Sequence, residues 1–263
     1  MRVQHVVSLT ILVPIAGCGR ASQGLPTVNA VQAGFIRALG GADAIERPQS
    51  MTMKGFNIVY GSNGNHTRIP FVIYLADFKR LEIDSVFGKG DFSSGYDGNI
   101  AWSLAPGAKA QILTGTGAVS IRRDADLYYF AHIPSYFRSM KVVGVESFYG
   151  HRCYRIRGMT LWGNVNNQYY DAGSGLLAGY RFHQWVRGAP EKAESVQLFY
   201  AYRRFDRLQV ATRETDYRDG RLTSLVSYES IRLNDVNPQV FDPPPAVLDL
   251  VRSKPQKPRR RVE

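Results

Sequence analysis

Two hydrophobic periods take turns along this chain. Val28, Val31, Phe35, Ile36 and Leu39 recur at spacings of three and four, which predicts a helix over 28–39. Gly40-Gly41 stops it, Ala42 to Glu46 adds one further turn, and Pro48 closes the segment. From Ser50 the period falls to two. Phe56, Ile58 and Tyr60 alternate, Gly61-Ser62-Asn63-Gly64 makes a turn, and Phe71, Ile73 and Leu75 alternate again. Leu81 and Ile83 then alternate with Arg80, Glu82 and Asp84, which predicts a sheet apolar on one face and wet on the other. Tyr96-Asp97-Gly98-Asn99 reads as a tight turn leading to Ala101 and Trp102.

The helical period returns between Gly117 and Phe137. Ile121, Ala125, Tyr128 and His132 form one stripe with Leu127 and Phe130 beside it, and Arg122, Arg123 and Asp124 fall opposite; Pro134 ends or kinks this helix. Its apolar face must lie on the sheet, or it would stay in water. Strand patterns then follow at 142–146, 153–158, 165–170, 177–186, 195–205, 209–217 and 222–233, with a hairpin about Asp219-Gly220. In the strand 195–205, Val196, Leu198, Tyr200 and Tyr202 are expected on one face, Gln197, Phe199 and Ala201 on the other. Antiparallel strands without βα alternation predict a mainly β (α+β) domain built on one large curved sheet.

Composition narrows the class. With 44% hydrophobic and 21% charged residues the chain of 263 is neither disordered nor, with two cysteines, a disulfide scaffold. The net charge is +11, but Arg252 to Glu263 alone holds six cations against one anion. The basic excess is largely a tail, predicted disordered, rather than a groove, which argues against a nucleic-acid partner.

The N-terminus carries its own chemistry. Arg2 is followed by an apolar run from Val6 to Ala16, too short for the ~20 residues of a spanning helix and interrupted by Pro14. Ile15-Ala16-Gly17-Cys18 resembles the lipobox of bacterial lipoproteins. That resemblance implies removal of residues 1–17 and acylation of Cys18, whose acyl chains would make a membrane anchor. Gly19, rather than Asp, follows the anchor, which the same resemblance associates with the outer membrane. Residues 18–27 read as a linker, 28–251 as the domain and 252–263 as the tail. Cys153 lies in an alternating strand and is expected to be a buried structural thiol.

Catalytic and metal signals are weak. His5, His66, His132, His151 and His183 form no His-x-x-x-His pair or Cys/His cluster, so no metal is expected. There is no Gly-x-Ser-x-Gly elbow, P-loop or dinucleotide fingerprint, so no cofactor is expected and an enzyme is not.

Several segments, in order, carry a resemblance: Ala38-Leu39-Gly40-Gly41-Ala42, Tyr96-Asp97-Gly98-Asn99-Ile100-Ala101-Trp102, Arg123-Asp124-Ala125-Asp126-Leu127-Tyr128, Tyr169 to Leu177, Asp216-Tyr217-Arg218-Asp219-Gly220, and Asn237 to Asp242. Together they resemble the LolA/LolB-like superfamily of bacterial lipoprotein carriers and their lipoprotein relatives. The resemblance implies an open antiparallel half-barrel of about eleven strands around helices, with an apolar cavity that holds acyl chains of a lipid or lipoprotein. The candidate cavity residues are Phe56, Ile58, Phe71, Ile73, Leu81, Ile83 and Trp102 from strands, with Ile121, Ala125 and Tyr128 from the helix.

The expectation is a monomeric, lipid-anchored envelope protein, in the outer membrane facing the periplasm, that binds an acylated ligand and serves lipoprotein sorting or transport. The alternative is an envelope scaffold or sensor that contacts proteins or polyanions, through the basic tail, over a filled core.

Overall fold

The computed structural model describes residues 24–185 and 192–253. Cys18, the segment 1–17 and the tail beyond Ser253 lie outside the described residues. Helix α1 spans Val28–Leu39, as its periodicity predicts. The Thr27 hydroxyl accepts the Ala30 N–H at its start, and Gly40 ends it in the left-handed region at φ 118°. Helix α2, Ala42–Glu46, follows.

The strands are β1 (Ser50–Tyr60), β2 (His66–Ala76), β3 (Lys79–Val86), β4 (Gly90–Tyr96), β5 (Ala101–Leu104) and β6 (Gln111–Ile112). A helical crossover comes next, with α3 (Gly115–Asp124), α4 (Tyr129–His132) and a 3₁₀ turn at Ile133–Tyr136. Then come β7 (Phe137–Phe148), β8 (His151–Thr160), β9 (Val165–Asp171), β10 (Leu177–Trp185), β11 (Lys192–Phe205), β12 (Leu208–Arg218) and β13 (Arg221–Leu233). A 3₁₀ turn at Pro238–Phe241 leads to α5 (Pro245–Ser253). Arg252 and Ser253 therefore close a helix rather than open the tail.

All thirteen strands form one antiparallel sheet, in the order β6-β5-β4-β3-β2-β1-β13-β12-β11-β10-β9-β8-β7. The count exceeds the expected eleven partly because β5 and β6 are short. Strands consecutive in the chain are neighbours except β6 and β7. β1 and β13 pair at a central seam, Met51 opposite Leu233, and the crossover carries the chain from edge β6 to edge β7.

The inner face is defined by α1. Its Val31, Phe35 and Leu39 pack with Met51, Phe71, Ile73 and Leu75 from one half of the sheet and Val142, Ile156, Tyr170 and Leu177 from the other. One helix can touch both halves only if the sheet wraps it, so the sheet is an open half-barrel. Gln32 Nε2 donates to Tyr170 Oη at 2.7 Å, and Tyr170 donates to Gln168 Oε1 at 2.8 Å, which fixes the helix's rotation on the floor.

Strand register shows that the wet face expected at β3 is turned inward. Phe71, Ile73 and Leu75 pair with Asp84, Glu82 and Arg80, so the three charged side chains share the inner face. Leu81 and Ile83 point outward. Leu81 is not left in water there, because α5 covers it: Val247 is fully buried with Trp102 and Ala110, and Leu81, Leu104 and Leu250 pack around them. In β11, Phe199 and Tyr202 both reach the inner core although one residue of alternation should separate them. Ala201, at φ 53°, breaks the period between them.

The single helix expected over 117–137 is broken at residues 125–128. The Asp126 carboxylate accepts the Tyr128 N–H at 3.0 Å, which diverts the backbone into a turn before α4.

The α1 terminus supplies a stability test. A Cβ on Gly40 would sit 2.1 Å from the Arg207 carbonyl oxygen, in the β11–β12 turn, at a φ that L side chains rarely adopt. Gly40→Ala is expected to destabilise the protein by at least about 2 kcal/mol, read by urea denaturation, whereas Gly64→Ala, which meets nothing within 4 Å, costs only its backbone strain.

Candidate functional site

The ten expected cavity residues do not converge on one space. Phe71 and Ile73 lie in the main core beneath α1. Ala125, fully buried, and Ile121 pack instead with Tyr96 and Ala101. Tyr128 borders the main core and donates its hydroxyl to the Pro48 carbonyl at 3.1 Å. The other five face outward, on the far side of the sheet. Phe56 pairs with Pro70 and Ile58 with Arg68, and the Arg68 guanidinium stacks 4.0 Å over the Phe56 ring. Trp102 lies flat across Gly95, where a Cβ would meet its indole at 2.7 Å, and is sealed by α5 with Leu81. Ile83 shares that outward face. The physical reason is that α5 covers the outer face of the sheet at Leu81, Trp102 and Leu104, so alternation alone does not tell inside from outside.

Among the described residues, open space lies at one end of the half-barrel, under α3. α1 buries four residues, but α3 buries none. Beneath and beside it opens an apolar cleft of about 520 Å³, lined by Phe78, Tyr96, Val119, Arg122, Arg123, Tyr136, Leu161 and Trp162. Phe78 comes from the β2–β3 turn and Leu161-Trp162 from the β8–β9 turn. The crossover draws these distant turns together: the Leu161 N–H donates to the Tyr136 carbonyl at 3.0 Å, and Arg138 donates to the Leu161 carbonyl at 2.7 Å. Four large apolar side chains stand exposed at the rim, Phe78 at 45%, Val119 at 41%, Leu161 at 48% and Trp162 at 37%. A second hollow of about 410 Å³, lined by Asn99, Ile100, Leu113, Thr114 and Ala118 among others, shares Tyr96 and Arg122 as a common wall.

Apart from the lining of these hollows, the inner face of the sheet also carries polar groups. Arg80 and Glu82 form a sheltered ion pair at 2.7 Å. Asp84 is pushed up to about 6 by burial and then by Glu82, against the pull of Arg80. Burial also pushes Glu214 up to about 7, although its carboxylate accepts from Tyr228 at 3.0 Å and from Gln197 at 3.2 Å. On the crossover, Asp126 is buried and accepts from Tyr136 Oη at 2.6 Å and His132 Nδ1 at 2.9 Å. That pair lacks the geometry of nucleophilic catalysis, because the nearby Ser135 hydroxyl donates to the His132 carbonyl rather than to its ring. No three His, Cys, Asp or Glu side chains gather as a metal site among the described residues. Cys153 is a free thiol with no accessible surface, and burial pushes it up to about 11, the state of an inert thiol.

No protein-family model matches the chain, and no curated protein matches it in sequence. Solved structures do. A DUF1329 family protein from Desulfovibrio piger superposes at TM-score 0.61 with 13% identity, over 82% of this chain and 97% of that one. A LolA superfamily protein from Nitrosomonas europaea gives 0.59 with 12% identity, over 83% and 99%. A domain from Vibrio parahaemolyticus, described as an outer membrane lipoprotein-sorting protein, gives 0.53 with 11% identity, over 73% and 89%. The chain has a LolA-like fold. At these identities the likeness is one of architecture. Among the described residues no helix is long and apolar enough to cross a membrane.

The raised Glu214 carboxyl has a readable consequence. Its folded pKa lies above that of the unfolded chain, so its contribution to stability is fully present below about pH 4.5 and is lost as pH rises through about 7. Glu214→Gln should therefore raise the melting temperature relative to wild type at pH 8, with the gain vanishing at pH 4, as followed by circular dichroism.

Proposed function

We propose that this protein is an envelope carrier or receptor that takes an acyl chain of a lipid or lipoprotein into the cleft under α3. The observation that carries the reading is the helix itself. α3 stands over an apolar cleft of about 520 Å³ without burying any of its own residues, and the rim is set with exposed Phe78, Val119, Leu161 and Trp162. An unliganded soluble surface gains nothing from such a rim, whereas an aliphatic chain lying in it would remove these groups from water at ~25 cal/mol per Å². The volume falls within the ~300–1,000 Å³ typical of small-molecule sites.

The likeness to a lipoprotein-sorting domain and a LolA superfamily protein supports the same class of ligand. The lipobox-like sequence ending at Cys18 supports an acylated N-terminus on the membrane, in the outer membrane facing the periplasm. In this reading the protein is a monomer that binds and passes on its ligand without chemistry on it, and its basic tail is an accessory rather than a nucleic-acid site.

Whole protein purified from the envelope should carry lipid, seen by native mass spectrometry and organic extraction. The double substitution Leu161→Ala and Trp162→Ala should weaken binding of a fluorescent fatty acid by about tenfold or more, with little change in melting temperature because both side chains are exposed. Protein that is free of lipid and fails to bind the fatty acid would overturn the reading.

A further inference from the structure

Resting on that reading, we infer that the ligand is an anionic single-chain amphiphile, whose acyl chain lies in the larger cleft and whose acidic headgroup sits on Arg122. Arg122, with Tyr96, forms the wall shared by the two hollows, so it stands where the apolar lining of the larger gives way to Asn99 and Thr114 in the smaller. The two arginines at this boundary differ in what they have left to offer. Arg123 is spent on its neighbour: Nε and Nη2 donate to Asp124 Oδ1 at 2.9 and 2.7 Å. Arg122 meets no carboxylate among the described residues. Its Nε donates to Tyr96 Oη at 3.1 Å, with the guanidinium carbon 5.5 Å from the centre of the Tyr96 ring.

Tyr96 is itself held, donating its hydroxyl to the Gly98 carbonyl at 2.7 Å. The chain Gly98–Tyr96–Arg122 therefore orients the guanidinium, and its terminal nitrogens meet no hydrogen-bond partner among the described residues. A planar pair of N–H donors matches a carboxylate or a phosphate oxygen pair. A neutral headgroup would offer this guanidinium no countercharge. The charge complement of the site is thus an acid attached to an aliphatic chain, and two sources share that chemistry, a free fatty acid and a lysophospholipid.

The test displaces a fluorescent fatty acid from the delipidated whole chain with three probes below their micellar concentrations: palmitate, palmitoyl lysophosphatidylglycerol, and the uncharged hexadecyl maltoside. The expected result is that at least one acid binds about tenfold or more tightly than the maltoside. Arg122→Gln should remove that preference, bringing the acids down to the affinity of the maltoside. Whichever acid binds more tightly identifies the headgroup source. Arg122 is exposed, so the variant should fold, and a wild-type measurement stands beside it: raising ionic strength should weaken the acid but not the maltoside. Equal binding of acid and maltoside, or a preference that survives Arg122→Gln, overturns the headgroup assignment and leaves acyl binding standing. If none of the three probes binds, the acyl-binding reading itself falls, and the assignment with it.

Discussion

The fold depends on one constraint: a single helix has to be buried by strands that lie far apart in the chain. Phe35 of α1 has no accessible surface and meets Phe130 of the crossover and Tyr170 of β9 edge-on, at 5.7 and 5.3 Å. Leu39 and Val31 reach strands of the first half as well. A flat sheet would leave one set of these contacts unmade. Burying α1 therefore curls the sheet, and curling brings the β2–β3 and β8–β9 turns to the same end, where the crossover passes between them. The cleft is a by-product of that closure: α1 fills the middle of the half-barrel, and the looser α3 fills its end incompletely.

The inner face is not uniformly greasy. Arg80, Glu82, Asp84, Glu214 and Tyr228 add polar groups to it outside the lining of the cleft. Burying an aliphatic chain against them would strip hydration from groups that are already poorly solvated.

Much of this architecture was legible in the sequence. The period of α1, its Gly40-Gly41 stop and the strand patterns of the second half all correspond to observed elements, because each depends on local spacing. The choice of face was not legible. Leu81 and Ile83 alternate as cleanly as Phe71 and Ile73, yet both face outward, Leu81 into a separate cluster beneath α5, a short helix that opens on the last of three prolines and that periodicity alone did not flag. The break at Asp126 was hidden as well, since the apolar stripe runs through it and only a side-chain-to-backbone bond interrupts the helix. The rim residues were missed for a related reason. Phe78, Leu161 and Trp162 sit in turns, outside any period. Two large apolar residues before a turn glycine, Leu161-Trp162-Gly163, were the available signal, because turns in a soluble domain are normally polar.

The seam between β1 and β13 has a consequence for how the molecule comes into being. Met51 pairs with Leu233, so nearly the whole domain must be synthesised before the two halves can join. Until then β1 presents a bare edge of unpaired backbone groups, the kind of template on which chains aggregate. Such late, distant pairing is also slow, since chain entropy must be lost before the contact rewards it. A chain of this topology emerges N-terminus first with its oldest strand waiting for its youngest, which makes it a natural client for a holding chaperone during biogenesis.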